Sequence, residues 1–420
     1  MAQQHAGGGA AIRASPCEPG VYYINGQTWA VGARYTLMKL LGEGSFSQVC
    51  MAVDNDTQEP VALKRIPDVL TSLENAKRVL REVCILRRMD HPGIIALRDV
   101  FLRPASTGRC VYRNGQLGDL FHVRGQISES EVKSIMFQLL QALQYLHDNG
   151  VWHRDVKTAN ILVTFCDGAR LVKIADLGSA RSAALGASCT SPRAAGASGA
   201  SALAPEPPGG SAAMAPGGGA AADTAAAASA LAAVTIGGAR GAGSGRGSVM
   251  CMEEAHMKHS DSFMVEGDRE ISTSGDLFAR APEVVMSRGV YTAAIDVWGT
   301  GCVFGELLQR VPWVGKACTP HLQVAPVFAL HGMPPTPTSG ERYSSRDGGA
   351  GNSVMRHELQ ALFAVVGTPS WSCIEGVPSK AWRNYLRRMP GKAPTLYRRF
   401  GAAGEVAVDL LQRLLSFDPA

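Results

Sequence analysis

The sequence contains no apolar run approaching the ~20 residues that a membrane-spanning helix needs, so no transmembrane segment is expected. Its ten cysteines form no C-x-x-C pair and follow no regular spacing, the usage of a reducing compartment. Cys251, His256 and His259 lie close together, but one cysteine and two histidines in a low-complexity tract read as solvated side chains rather than a metal site. The segment 1–20 lacks an apolar core and carries one basic residue, Arg13, so neither a secretory signal nor a transit peptide is expected. No long Lys/Arg block accompanies the net charge of +5, which argues against a nucleic-acid arm or a membrane-surface segment and leaves the charge to solubility. Cytoplasm, nucleus or both are the expected locations. A P-loop is missing too, because Gly315-Lys316 and Gly391-Lys392 both lack the upstream glycine of G-x-x-x-x-G-K-[ST].

What is present is unevenly spread. Much of the glycine and alanine sits in low-complexity tracts, so the folded part is expected to be shorter than the 420 residues. Residues 1–29 read as a loose tail, and inserts are expected at about 182–272 and 317–352. Between them the pattern is periodic. Tyr35–Leu41 and Val61–Lys64 read as strands. Thr71-Ser72-Leu73-Glu74 reads as a capping box opening a helix on Leu73, Ala76, Val79, Leu80, Val83 and Leu86. A second box, Ser128-Glu129-Ser130-Glu131, opens a longer helix with Val132, Ile135, Met136, Leu139, Leu140, Leu143 and Leu146 on one face, ended by Asn149-Gly150. Later helices are expected at 357–366 and 407–415.

The chemistry concentrates in Val151 to Leu162. His153-Arg154-Asp155, with Asn160 five residues after the aspartate, matches the H-R-D-x-x-x-x-N loop of protein kinases. A short loop of this kind aims one carboxylate at an attacking hydroxyl and one amide at a metal, with Lys157 between them near the transferred group. The triplet alone also fits a surface turn, so its weight depends on its surroundings. Those are a glycine turn at Gly42-Glu43-Gly44, Lys64 ending a strand, Glu82 on the first helix, Asp176-Leu177-Gly178, Ala281-Pro282-Glu283, and Asp296 poised to brace the loop. Their order resembles the eukaryotic protein kinases. The resemblance implies an α+β, bilobal fold: a β-rich N-lobe at about 30–115 and an α-helical C-lobe at about 116–420. It further implies ATP held by Leu41, Gly42, Gly44, Val49, Ala62, Lys64, Glu82 and Leu162, Mg2+ held by Asn160 and Asp176, and catalysis by Asp155 and Lys157.

Within that group the sequence is similar to the mitogen-activated protein kinases, in Ala76–Glu82, His91–Phe101, His357–Ser370, Tyr385–Pro390 and Asp409–Pro419. This implies a serine/threonine kinase acting on protein substrates under an upstream activating kinase. The alternative is a pseudokinase or scaffold that binds nucleotide or partners without efficient transfer. Four departures stand out. Ile271-Ser272-Thr273 replaces the family's T-x-Y, and no tyrosine occurs between Gly178 and Glu283, so single-residue control at Ser272, Thr273 or Ser274 is expected. Asp276–Glu283 lacks the residues associated with a proline preference. The hinge region 110–120 is unusually polar, and the sequence given ends at Ala420, before the last helices of the family. From that end, Glu283 is expected to lack its arginine, and Leu411, Leu414 and Leu415 are expected to be exposed.

Overall fold

The computed structural model describes residues 11–43, 47–67, 69, 73–103, 107–113, 118–119, 126–166, 169–182, 280–286, 292–313, 324–328 and 350–418, with the side chains of 102–119, 165–166 and 350–354 left aside. The first ordered elements correct the expected tail. Strands β1 (Arg13–Ala14), β2 (Val21–Ile24) and β3 (Gln27–Ala30) form an antiparallel sheet in that order. Asn25 and Gly26 both take positive φ, 49° and 74°, as the tight two-residue hairpin turn demands. Ile24 and Trp29 are fully buried against Tyr35, Leu37, Cys50 and Leu63. Glycine and alanine dominate only the first residues; beyond them Val21, Ile24 and Trp29 supply enough apolar surface to dock. The β-rich lobe therefore begins near Arg13, not near residue 30.

That lobe is built on five antiparallel strands, β4 (Tyr35–Glu43), β5 (Gln48–Asp54), β6 (Glu59–Pro67), β7 (Ala96–Arg103) and β8 (Thr107–Arg113), ordered β4-β5-β6-β8-β7. Helix α1 (Leu73–Leu86) buries Ala76, Val79, Glu82, Val83, Ile85 and Leu86. Thr71 and Ser72 of the first capping box lie outside the described residues.

Strand β9 (Gly118–Asp119) leads toward helix α2 (Glu129–Asp148), which starts with both halves of a capping box: Ser128 Oγ accepts from Glu131 N at 3.2 Å, and Glu131 Oε2 accepts from Ser128 N at 2.8 Å. Burial alone would raise the Glu131 pKa, but the Ser128 backbone N–H and the Arg170 guanidinium prevail and hold it at about 2. The expected apolar stripe is present with one exception: Leu140 is 39% exposed and Ala142 is buried in its place, as i, i+3, i+4 spacing from Leu139 requires. Gly150, φ 65°, turns the chain after the helix.

Strands β10 (Val151–Trp152), β11 (Ile161–Cys166), β12 (Ala169–Ile174) and β13 (Arg181–Ser182) frame the loop region, pairing as β12-β11-β9 and β10-β13. The helical lobe continues with α3 (Pro282–Met286), α4 (Ala294–Leu308), α5 (Ala350–Val366), α6 (Trp371–Gly376), α7 (Lys380–Leu386), α8 (Leu396–Phe400) and α9 (Glu405–Leu414). Helix α4 is apolar almost all round and buries Trp298, Cys302, Val303, Phe304, Leu307 and Leu308.

Two further expectations change. Leu411 and Leu415 are buried and Leu414 half-buried, not exposed: a Cβ at Gly301 would lie 2.7 Å from the Leu415 side chain, so glycine lets the end of α9 seat on α4. Within the expected second insert, Val327 and Phe328 are buried, with Phe328 stacked 5.2 Å from Trp298. Those two apolar side chains belong to the core, and α5 begins at Ala350, slightly inside the expected end of the insert. The first insert lies outside the described residues, as do Cys251, His256 and His259. Among the described residues no helix is long and apolar enough to cross a membrane.

Candidate active site

The loop after β10 is held from below by Asp296, 0% exposed near the start of α4. Its Oδ1 accepts from Arg154 N at 2.7 Å and its Oδ2 from His153 N at 2.8 Å. His147, at the end of α2, places Nε2 2.9 Å from the same Oδ2. A carboxylate has the lone pairs to serve all three groups, which explains an acid in an apolar helix. Arg154 is thereby kept at φ +70°, a conformation L residues seldom adopt. Gly299, one turn further along α4, lets the loop approach: a Cβ there would lie 2.7 Å from the Val156 carbonyl oxygen.

On this base the loop side chains converge. Asn160 Nδ2 donates to Asp155 O at 2.8 Å and to Asp155 Oδ2 at 3.0 Å, and Lys157 Nζ lies 3.2 Å from the same carboxylate oxygen. Thr158 Oγ1 donates to Glu306 Oε2 at 2.9 Å, tying the short 3-10 turn Thr158–Asn160 back to α4. His153 is buried. Its Nδ1 accepts from Asp155 N at 3.2 Å, so Nε2 is the donor to the Ala175 carbonyl at 2.9 Å. Ala175 N in turn donates to Asn160 O at 2.9 Å. Both sides of Ala175 are thus clamped by the loop, and the next residue is Asp176.

Asp176 adopts φ +61° and turns its carboxylate, 51% exposed, toward Lys64. Lys64 Nζ stands 3.4 Å from Asp176 Oδ1 and 3.0 and 3.1 Å from the two oxygens of Glu82, which is 2% exposed. Lys64 is the main cause holding the Asp176 carboxyl below the usual carboxylate range, with the Gly178 N–H assisting. Leu177 is fully buried in the main core with Leu86 and Ile174. Arg81 Nη1 reaches Gly178 O at 3.1 Å, a second link from α1 to this segment.

The residues expected to line a nucleotide fall into two groups. Register places Gly42 opposite Val49 and Val49 opposite Lys64, one row across β4, β5 and β6, while Ala62 pairs with Met51 and Tyr112. Leu41 is exposed at the end of β4, and Leu162, half-buried on β11, pairs with Lys173 and Asp119. Gly44, the hinge side chains and Ser272 to Ser274 lie outside the described residues. His147, Thr158, Glu306 and Arg81 were not singled out from the sequence. Each partner except that of Arg81 sits about 150 residues away, and no local spacing encodes such a pairing.

The donor set suits a hard cation. The Asp176 carboxylate, and the Asn160 carbonyl left over once Nδ2 is committed to Asp155, are both oxygens. Among the described residues no cluster of three or more His, Cys, Asp or Glu side chains could hold a metal alone. A magnesium ion there would need phosphate oxygens and water to complete its shell.

Comparison with known proteins fits this geometry. A family model described as a protein kinase domain matches residues 35–199. The chain is 26% identical over 407 residues to extracellular signal-regulated kinase 1 of Dictyostelium discoideum, covering 95% of this chain and 54% of that protein. It is 26% identical to mitogen-activated protein kinase 1 of Oryza sativa subsp. japonica and 27% identical to mitogen-activated protein kinase 6 of Arabidopsis thaliana, each over 95% of this chain and 72% of the relative. The chain thus spans about half the length of the first of these relatives and under three quarters of the other two.

Proposed function

We infer that this chain is a protein kinase of the mitogen-activated type, the group two of the relatives above are named for, and that it transfers the γ-phosphoryl group of MgATP to serine or threonine hydroxyls of protein substrates. The observation that carries this reading is the Lys64–Glu82 ion pair at 3.0 Å, with Asp176 beside it and Asp155, Lys157 and Asn160 already in mutual contact. Such preorganisation is what phosphoryl transfer demands, since the reaction depends on positioning and charge rather than on protein covalent chemistry.

In this reading Asp155 takes the proton of the attacking hydroxyl, and Lys157 places positive charge beside the carboxylate. Lys64, fixed by Glu82, holds the α- and β-phosphates, while Asp176 and Asn160 hold the metal. Magnesium, when bound, neutralises charge on the phosphate oxygens. An upstream kinase acting at Ser272, Thr273 or Ser274 would supply a phosphate for Arg154 to meet in a charge-assisted pair.

Asp155→Asn tests the assignment. It should abolish transfer, by a factor of about 100 or more, while leaving MgATP affinity in place, because the base acts on chemistry rather than on the ground state. Equal turnover in wild type and variant would refute the reading. A wild type that binds MgATP but phosphorylates no peptide would favour the scaffold alternative.

A further inference from the structure

We propose that the hairpin of β2 and β3 is a positioning element for nucleotide binding, holding the facing ends of β4 and β5 through Glu43 and Gln48; this rests on the kinase reading above. Four hydrogen bonds form a ring that begins and ends on the hairpin tip. Asn25 Nδ2 donates to Glu43 Oε1 at 3.2 Å, and Gln48 Nε2 donates to the same oxygen at 2.8 Å. Gln48 Oε1 accepts from Arg65 Nη1 at 2.9 Å, and Arg65 Nη2 donates to Gln27 Oε1 at 3.2 Å. Asn25 and Gln27 flank Gly26, so one tight turn grips both strand ends and the strand that carries Lys64.

The register explains why this location matters. Glu43 and Gln48 are themselves register partners, and the next pair inward is Gly42 with Val49, in the row that continues to Lys64. The ring therefore lies one step from the backbone expected to approach the phosphates, and Arg65 adjoins Lys64 in sequence. A strand end flanked by glycine is soft, because glycine leaves its own backbone weakly restrained. The clamp is stiffer. Arg65 is buried, its guanidinium sits 5.9 Å from the ring of the fully buried Trp29, and Asn25-Gly26 is already committed to its turn conformation. Restraining a strand end in its binding geometry lowers the ordering cost of binding, so the effect belongs in nucleotide affinity rather than in the transfer step.

The experiment uses the full chain, with steady-state kinetics in MgATP, calorimetric MgATP affinity and thermal melts. Asn25→Asp keeps a residue that tolerates positive φ, removes the Nδ2 donor and sets a carboxylate against Glu43. The expected result is a rise of about fivefold in KM and in Kd for MgATP, the size of one lost hydrogen bond, with kcat within about a factor of two. Adding Glu43→Gln to that variant should return both values toward wild type, since the new amide can donate to the carboxylate at position 25 while its carbonyl still accepts from Gln48. A hairpin with only a structural role would lower the melting temperature and leave KM and Kd where they were. That result, or a double variant no better than Asn25→Asp alone, overturns the proposal. A wild-type chain that neither binds MgATP nor transfers phosphate overturns the kinase reading and this one with it, so the two failures are told apart by the wild type.

Discussion

Asp296→Asn should loosen the catalytic loop far more than its small change in volume suggests. The wild-type carboxylate accepts at Oδ1 from Arg154 N and at Oδ2 from both His153 N and His147 Nε2. An amide offers one oxygen and one NH2, so in either orientation a backbone N–H of the loop faces a donor. One buried N–H left unsatisfied costs about 1–3 kcal/mol, and the surviving bond to the other loses its charge assistance, roughly another 1 kcal/mol. The sum is about 3 kcal/mol. For a domain of this size that corresponds to a fall of about 6–12 °C in melting temperature. The same change should reduce kcat, because Arg154 and Asp155 lose their anchor, and should weaken MgATP binding less, because Lys64 on β6 is held by Glu82 on α1. His147→Ala is the control. It leaves both backbone donors on Asp296 and should cost about 1 kcal/mol. Differential scanning fluorimetry and single-turnover kinetics on both variants decide the matter. A melting temperature for Asp296→Asn within about 2 °C of wild type, or a smaller loss than His147→Ala, would refute the reasoning.

Three further outcomes are expected. Glu283 on α3 is half-buried, has no ion-pair partner among the described residues, and burial pushes its pKa upward. The folded state therefore binds its proton more tightly than the unfolded chain. The associated stability is present below the ordinary carboxylate value and lost as pH rises through the raised one. Glu283→Gln should raise the melting temperature by a few degrees at neutral pH, with a gain that shrinks in acid; a lower melting temperature at neutral pH would contradict it. Gly299→Ala would press a Cβ against the Val156 carbonyl at 2.7 Å, an overpacking worth about 1–3 kcal/mol, and should reduce kcat more than MgATP affinity in steady-state assays. Ser272, Thr273 and Ser274 all changed to alanine should leave the chain inactive after treatment with an activating extract, while mass spectrometry of the active wild type finds phosphate on one of them; full activity of the triple variant would rule this control out.

Several elements were legible because their signals are local. The Ser128–Glu131 box and the stripe ending at Asn149-Gly150 carry helix α2 on their own, since a cap and a turn residue need only neighbours three or four positions away. The hairpin was less visible, although its signal is also local: Asn25-Gly26 between Ile24 and Trp29 is a strong hairpin pattern, obscured by the glycine and alanine that precede it. Val327 and Phe328 were hidden in the same way, two core residues inside a run whose composition reads as loop.

The sequence by itself determined the chemistry available to this chain: which side chains carry charge, in what order, and at what spacing within each loop or helix. Asp155, Lys157 and Asn160 are close because the chain between them is short. Tertiary structure alone decided which distant groups answer them. Lys64 meets Asp176 across 112 residues, and Asp296 accepts the backbone of Arg154 across 142. His147 and Glu306 find their partners by the same route. The physical reason is that a buried charge must be satisfied wherever packing leaves it, and packing is settled by the whole core rather than by any one segment.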